Sequence, residues 1–283
     1  MMFIRSFLYA AWFYSSMGII GLPCLPFIFT SRHVAMDTIR RWAASQRFVL
    51  RWVCGIRTEF RGLENVPHGP SVIAMKHQST YDTIAPFLFL QDPAFVLKRE
   101  LLRMPVFGLY AERAGMVAID RGGGLKTMKL MLAAAKRQAD MGRPMVIFPE
   151  GTRQDVDAPT DLKAGAFAMY RELAAPCVPV ALNTGLCWRG SDFLRRPGVM
   201  VFECLPPIEP GLERAEFTKR LRDALAPATA RLVAEGRTRQ SKRDVAANTA
   251  AANAATANAG TANAAAANTG KASTVTKGAE GAG

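Results

Sequence analysis

A histidine, four residues and an aspartate, His77-Gln78-Ser79-Thr80-Tyr81-Asp82, bring an imidazole and a carboxylate within reach of each other. An imidazole suits general-base work near neutral pH, and a carboxylate on its other ring nitrogen would fix the tautomer and stabilise the imidazolium. Further on stands Phe148-Pro149-Glu150-Gly151-Thr152-Arg153. Arg153, and Arg121 in the earlier Ile119-Asp120-Arg121, each offer a planar, permanently charged fork that fits a phosphate, and backbone N–H groups near Gly151 can approach an anion without side-chain obstruction. Together the clusters point to transfer chemistry on a phosphorylated substrate. Each has a plainer alternative: Asp82 completes a capping box begun by Ser79, and the arginines are solvated surface charges. With Ser79 spent on a cap and no GxSxG elbow present, nothing recommends a covalent intermediate. Gly122-Gly123-Gly124 lacks the Walker pattern of a nucleotide-binding loop and reads equally well as a turn.

These residues need a rigid frame. Ser71-Val-Ile-Ala-Met75 is a short apolar run expected to form a buried strand that delivers His77 to its carboxyl end, with a helix capped by Ser79 running to Leu90. Further strands are expected at Ala94–Leu97, Met116–Ile119, Pro144–Phe148, Cys177–Leu182 and Val199–Cys204, with Pro179 arguing that its strand is an edge or irregular one. Between them, Leu125, Met128, Leu132, Ala135 and Ala139 recur at helical spacing, and Leu162–Leu173 forms another helix. Phe217, Leu221, Leu225 and Leu232 line a last one, bent near Pro227. Strand, helix, strand at this pitch predicts an α/β fold, a mostly parallel or mixed sheet flanked by helices, with ligands gathered at the carboxyl ends of strands. His77, Arg121 and Glu150 each fall just past such an end.

The chain has 283 residues and a formal net charge of +13. Three regions are expected: membrane-associated N-terminal helices with a basic stretch over 1–60, the α/β domain over 61–244, and a disordered Ala/Asn/Thr/Gly tail over 245–283. The tail has too little apolar bulk to offset its ordering entropy. Ser6–Thr30 is uncharged and aromatic-rich, followed by arginines from Arg32 to Arg61, which suits an anionic membrane surface with the arginines on the cytoplasmic side. Gly18, Gly21, Pro23 and Pro26 are expected to break that run to the length of a re-entrant or interfacial element; a buried core helix is the alternative. No zinc-finger spacing or aromatic RNA-binding signature accompanies the charge, so nucleic acid is not expected. Five scattered cysteines without CxxC and three histidines argue against a metal site and for a reduced compartment.

At these residues the chain resembles the glycerolipid acyltransferases, most closely the bacterial 1-acylglycerol-3-phosphate acyltransferases. Their HxxxxD block is matched by His77 through Asp82, and their later blocks by Ile119-Asp120-Arg121, by Phe148 through Arg153, and by Val178-Pro179-Val180. Two departures stand out: Lys76 where many members have Asn, and Gln154 where Ser is frequent. The resemblance implies transfer of a fatty acyl group from acyl-CoA or an acidic acyl carrier protein to the 2-hydroxyl of lysophosphatidate. His77 and Asp82 would be catalytic, while Arg121, Glu150, Gly151, Thr152 and Arg153 would bind the acceptor. For Glu150 three tasks stay open: positioning the loop, receiving an acceptor hydroxyl, or pairing with an arginine. No cofactor and no metal are implied, and the expected location is the bacterial inner membrane with the site on the cytoplasmic side. A related acyltransferase for another lysolipid, such as lyso-ornithine lipid, and a non-catalytic protein of anionic membranes are the competing possibilities.

Overall fold

The computed structural model describes residues 1–120, 124–190 and 192–275. Met1–Gly236 forms one compact unit and Arg237–Gly283 a second. The first unit therefore includes the N-terminal helices that the sequence sets apart over 1–60.

Seven strands build one sheet: β1 (Ile56–Arg61), β2 (Val72–Met75), β3 (Ala94–Lys98), β4 (Val117–Ile119), β5 (Met145–Ile147), β6 (Cys177–Leu182) and β7 (Gly198–Cys204), in the order β1-β7-β6-β2-β5-β3-β4. Every pairing is parallel except β6 with β7, so the sheet is mixed. β2 lies at its centre and is buried along its whole length, as an all-apolar run between two covered faces must be. Alternate residues feed opposite cores. Ile73 and Met75 join Tyr9, Leu50 and Ile84 on one side, while Val72 and Ala74 join Met131, Met169, Phe217 and Leu221 on the other. The first face is covered by α1 (Met2–Cys24), α2 (Arg32–Trp52) and the short α3 (Pro86–Phe89). The second is covered by α5 (Gly124–Ala139), α6 (Ala164–Leu173) and the first part of α7 (Arg214–Val275); α4 (Phe107–Arg113) packs beside α2.

Three expectations change. β1 was hidden inside the arginine-rich stretch, where Arg57, Glu59 and Arg61 alternate with Ile56, Thr58 and Phe60. Pro179 sits in an interior strand, paired with Ala74 of β2. Its carbonyl accepts from the Leu205 N–H at 2.9 Å, so its missing donor faces the β7 side, where the antiparallel ladder starts only at Val180. The helix expected from Ser79 to Leu90 is divided into a 3-10 turn, Thr80–Thr83, and α3, because Pro86 has no N–H to continue the ladder. The last helix, α7, runs through Val275; alanine lacks core-forming bulk but is the strongest helix former. Residues 276–283 lie outside the described ones.

The N-terminal run is not broken at its glycines. α1 continues through Gly18, Gly21 and Pro23 and passes into a 3-10 turn, Leu25–Phe29. The Leu25 N–H turns to the Leu22 carbonyl, which frees the Gly21 carbonyl, and the Tyr110 hydroxyl donates to it at 2.8 Å. A side chain at 21 would meet Val106 Cγ1 at 2.8 Å, so only glycine lets α1 and α4 approach this closely. Met2–Phe29 is long and apolar enough to cross a membrane: its most apolar 18 residues have a mean hydropathy of 1.4, yet only 17% of them are buried. The helix is inside out by aqueous standards. Ser6 and Ser16 face the protein while Phe3, Ile4, Phe7, Leu8, Tyr14, Ile19 and Leu22 are exposed. Ser16 Oγ accepts from Trp42 Nε1 at 3.1 Å and Gln46 Nε2 at 2.9 Å, fastening α1 to α2.

Candidate active site

The parallel strands β2, β5, β3 and β4 end on one edge of the sheet, and the residues selected from sequence follow those ends. His77 leaves β2. Its Nδ1 lies 3.1 Å from Asp82 Oδ2, which also accepts the Gln78 N–H at 2.6 Å and the Ser79 N–H at 2.7 Å. Asp82 Oδ1 accepts from the Thr184 hydroxyl at 2.7 Å. Two backbone N–H groups and a hydroxyl thus converge, beside the imidazole, on a carboxylate with no exposure. A carboxylate beside Nδ1 pairs with the tautomer that carries its proton there, the arrangement that leaves the Nε2 lone pair for a substrate.

Asp82 performs both jobs the sequence allowed. It completes a capping box with Ser79, whose Oγ accepts the Tyr81 N–H at 3.1 Å, and it orients the imidazole. The Phe148 ring stacks on the imidazole with centroids 4.0 Å apart and planes at 20°, restricting its rotation. Nε2 has no hydrogen-bond partner among the described residues, and the side chain keeps 10% of its surface exposed.

The loop after β5 is tied to the loop after β2. Glu150 Oε2 accepts the His77 N–H at 3.2 Å, and the Gln154 N–H donates to the His77 carbonyl at 2.8 Å. The Glu150 side chain has no exposure, and its other oxygen takes the Lys76 ammonium at 2.5 Å rather than an arginine. Gly151 has φ +71°, which a glycine adopts at no cost, and its N–H is already given to the Phe148 carbonyl at 3.0 Å. Thr152 and Arg153 are exposed on the same loop. Arg121 lies outside the described residues. Beyond Arg153 the loop is held by Arg189, whose guanidinium reaches Asp155 at 2.6 and 2.7 Å and lowers the pKa of its carboxyl below the usual value.

Sequence reasoning missed Thr184 and the segment around Gly190, noted Lys76 only as a departure from Asn, and quoted Phe148 without giving it a role. That segment brackets the HxxxxD turn, with the Gly190 N–H bonded to the Gln78 carbonyl at 2.7 Å and the Gly185 N–H to Gln78 Oε1 at 3.1 Å. Thr184 follows the end of β6 by two residues, so the strand-end rule applied to every strand would have marked it. Lys76 carried its own signal: a lysine closing an all-apolar strand needs a buried counter-charge.

Known proteins resemble this chain closely enough to interpret the constellation. A family model described as Acyltransferase matches residues 57–183. The chain is 34% identical over 191 residues to the 1-acyl-sn-glycerol-3-phosphate acyltransferase of Pseudomonas aeruginosa, covering 68% of this chain and 73% of that protein. It is 29% identical over 162 residues to 1-acyl-sn-glycerol-3-phosphate acyltransferase alpha of Mus musculus, covering 56% of this chain but only 57% of that one. The crystal structure of the 1-acyl-sn-glycerophosphate acyltransferase of Thermotoga maritima shares the fold, with a TM-score of 0.70 at 20% identity over 82% of this chain and 98% of the other.

Proposed function

The chain belongs to the 1-acyl-sn-glycerol-3-phosphate acyltransferase family, and we propose that it moves a fatty acyl group from a thioester to the 2-hydroxyl of 1-acyl-sn-glycerol 3-phosphate, giving phosphatidate. An alcohol is a poor nucleophile near neutral pH, so the step needs a base. His77 Nε2 takes the hydroxyl proton as the oxygen attacks the thioester carbonyl. Asp82 stabilises the imidazolium, and when the tetrahedral intermediate collapses the C–S bond breaks and the imidazolium returns the proton to the departing sulfur. The acyl group passes directly to the alcohol. The observation that carries this reading is the fully bonded Asp82 holding Nδ1 at 3.1 Å while Nε2 stays unengaged. Arg153 and Arg121 supply guanidinium forks for the acceptor phosphate. Acyl-CoA or an acidic acyl carrier protein is the donor, both matching a chain of charge +13.

We place the enzyme at the cytoplasmic face of a bacterial inner membrane. The exposed apolar face of α1 enters the bilayer, and the exposed Arg41, Arg47 and Arg51 of α2 lie near Phe48 and Trp52 at headgroup level. The test is purified full-length protein in detergent, given acyl-CoA or acyl carrier protein thioester and a panel of lysolipids. Saturable phosphatidate formation that disappears in His77→Ala supports the proposal. Transfer only to an acceptor without the phosphomonoester, such as lyso-ornithine lipid, replaces the substrate, and no transfer at all leaves a membrane-binding protein.

A further inference from the structure

Lys76 is the least expected residue near the site. Its side chain is 1% exposed, and its ammonium contacts Glu150 Oε1 at 2.5 Å and the Thr160 hydroxyl at 3.2 Å. A buried ion pair adds little to stability compared with an apolar pair of the same volume, whereas breaking it by removing one partner is strongly unfavourable. Folding alone therefore gives no reason for this pair. Its geometry does, because the second oxygen of the same carboxylate accepts the His77 N–H at 3.2 Å.

Resting on the assignment of His77 as the base, we propose that Lys76 is a positioning residue: through Glu150 it fixes the His77 peptide and holds the β5 loop against the end of β2. The chain of contacts runs from Thr160 and Lys76 to Glu150, then to the His77 N–H, with the Gln154 N–H closing on the His77 carbonyl at 2.8 Å. Both polar groups of the His77 peptide thus end on one loop, the same loop whose Phe148 stacks on the imidazole. Asp82 fixes the ring from one side, while the Lys76–Glu150 pair fixes the backbone that carries it. Without the ammonium, the buried Glu150 carboxylate loses its counter-charge, and its hold on the His77 N–H weakens as it turns toward other donors. Lys76 does not touch substrate in this arrangement, since its side chain is buried and the carboxylate and Thr160 take two of its three donors in the interior.

Three variants of the full-length protein decide the matter: Lys76→Met, Glu150→Gln, and both together. Each is measured for kcat, for KM with lysophosphatidate, for the pH dependence of kcat, and for thermal unfolding. Lys76→Met is expected to lower kcat by about 10- to 100-fold, the cost of a small misplacement of the base, to leave KM within about twofold, and to shift the acid limb of the kcat profile. The double variant buries no charge and keeps an amide oxygen for the His77 N–H, so it should recover part of the lost kcat. A rise in KM at unchanged kcat would instead make Lys76 a phosphate contact and overturn the proposal. So would wild-type kcat in Lys76→Met, or a loss that merely follows the unfolded fraction. If Lys76→Met does not fold, the double variant decides: reduced kcat at unchanged KM supports the proposal, and full kcat refutes it. His77→Ala, run in parallel, separates the two assignments. Activity there removes the base, whereas inactivity alongside a fully active Lys76→Met removes only the role of Lys76.

Discussion

Replacing Asp82 by Asn separates the two jobs this side chain performs. An asparagine fits the same volume. Its carbonyl oxygen can stay on the Gln78 and Ser79 N–H groups, now at 2.6 and 2.7 Å, while its amide donates to the Thr184 hydroxyl. The cap survives with neutral instead of charge-assisted bonds, a loss of about 1–2 kcal/mol, or roughly 2–8 °C in Tm for a domain of this size. The effect on catalysis is larger, because the charge beside Nδ1 is gone. With charge centres about 4 Å apart and an effective dielectric of about 20, the imidazolium–carboxylate attraction is about 4 kcal/mol, which corresponds to roughly a thousandfold in rate. The assay is kcat at saturating donor and acceptor, with the folded fraction read by thermal unfolding of the same preparation. Folded Asp82→Asn retaining more than about a tenth of wild-type kcat would show that the carboxylate only caps the turn, since a tenfold effect is worth under 1.4 kcal/mol.

Thr184→Val keeps the shape but removes one donor from buried Asp82, so it should cost about 1–3 kcal/mol in urea unfolding and lower kcat less than Asp82→Asn does. Phe148→Ala removes the ring stacked on His77 and should lower kcat with little change in acceptor KM, and wild-type kcat would show the stacking to be incidental. Arg153→Ala should reduce the catalytic efficiency for the phosphorylated acceptor far more than for an uncharged analogue, with Lys recovering charge but not the fork; an unchanged ratio would place the phosphate elsewhere. Deleting residues through Thr30 should abolish detergent-dependent extraction from membranes or make the protein insoluble, and the residual attachment should weaken at high salt; a soluble truncation with salt-independent binding would refute the role given to α1 and the basic face of α2.

The sequence revealed most where a signal is local. β2 is an uninterrupted apolar run, α5 repeats at helical spacing, and the Ser79–Asp82 cap lies within four residues, so all three could be read along the chain. β1 could not, because its pairing with β7 decides which of its alternating residues are inside, and its arginines read equally well as a basic patch. Pro179 misled for a related reason: which side of a strand lacks a donor is settled by the neighbour, not by the residue. At the site, His77 and Asp82 were legible, but their supports were not. Thr184 is 102 residues from Asp82, and Glu150 is 74 from Lys76, so no spacing rule links either pair.

The inward serines of α1 impose an order in time. Ser6 Oγ accepts the Arg195 N–H at 2.9 Å, and Tyr9 packs edge-on against Trp188 with ring centroids 5.5 Å apart. At ribosomal speeds, the 189 residues separating Ser6 from Arg195 take roughly 10–40 s to appear. Throughout that interval the aromatic face of α1 is already made, while of the partners of its inner serines only α2, which meets Ser16, has been synthesised. On the membrane placement proposed above, α1 can enter the bilayer before the body of the domain exists, and the domain then assembles onto a helix already in the lipid.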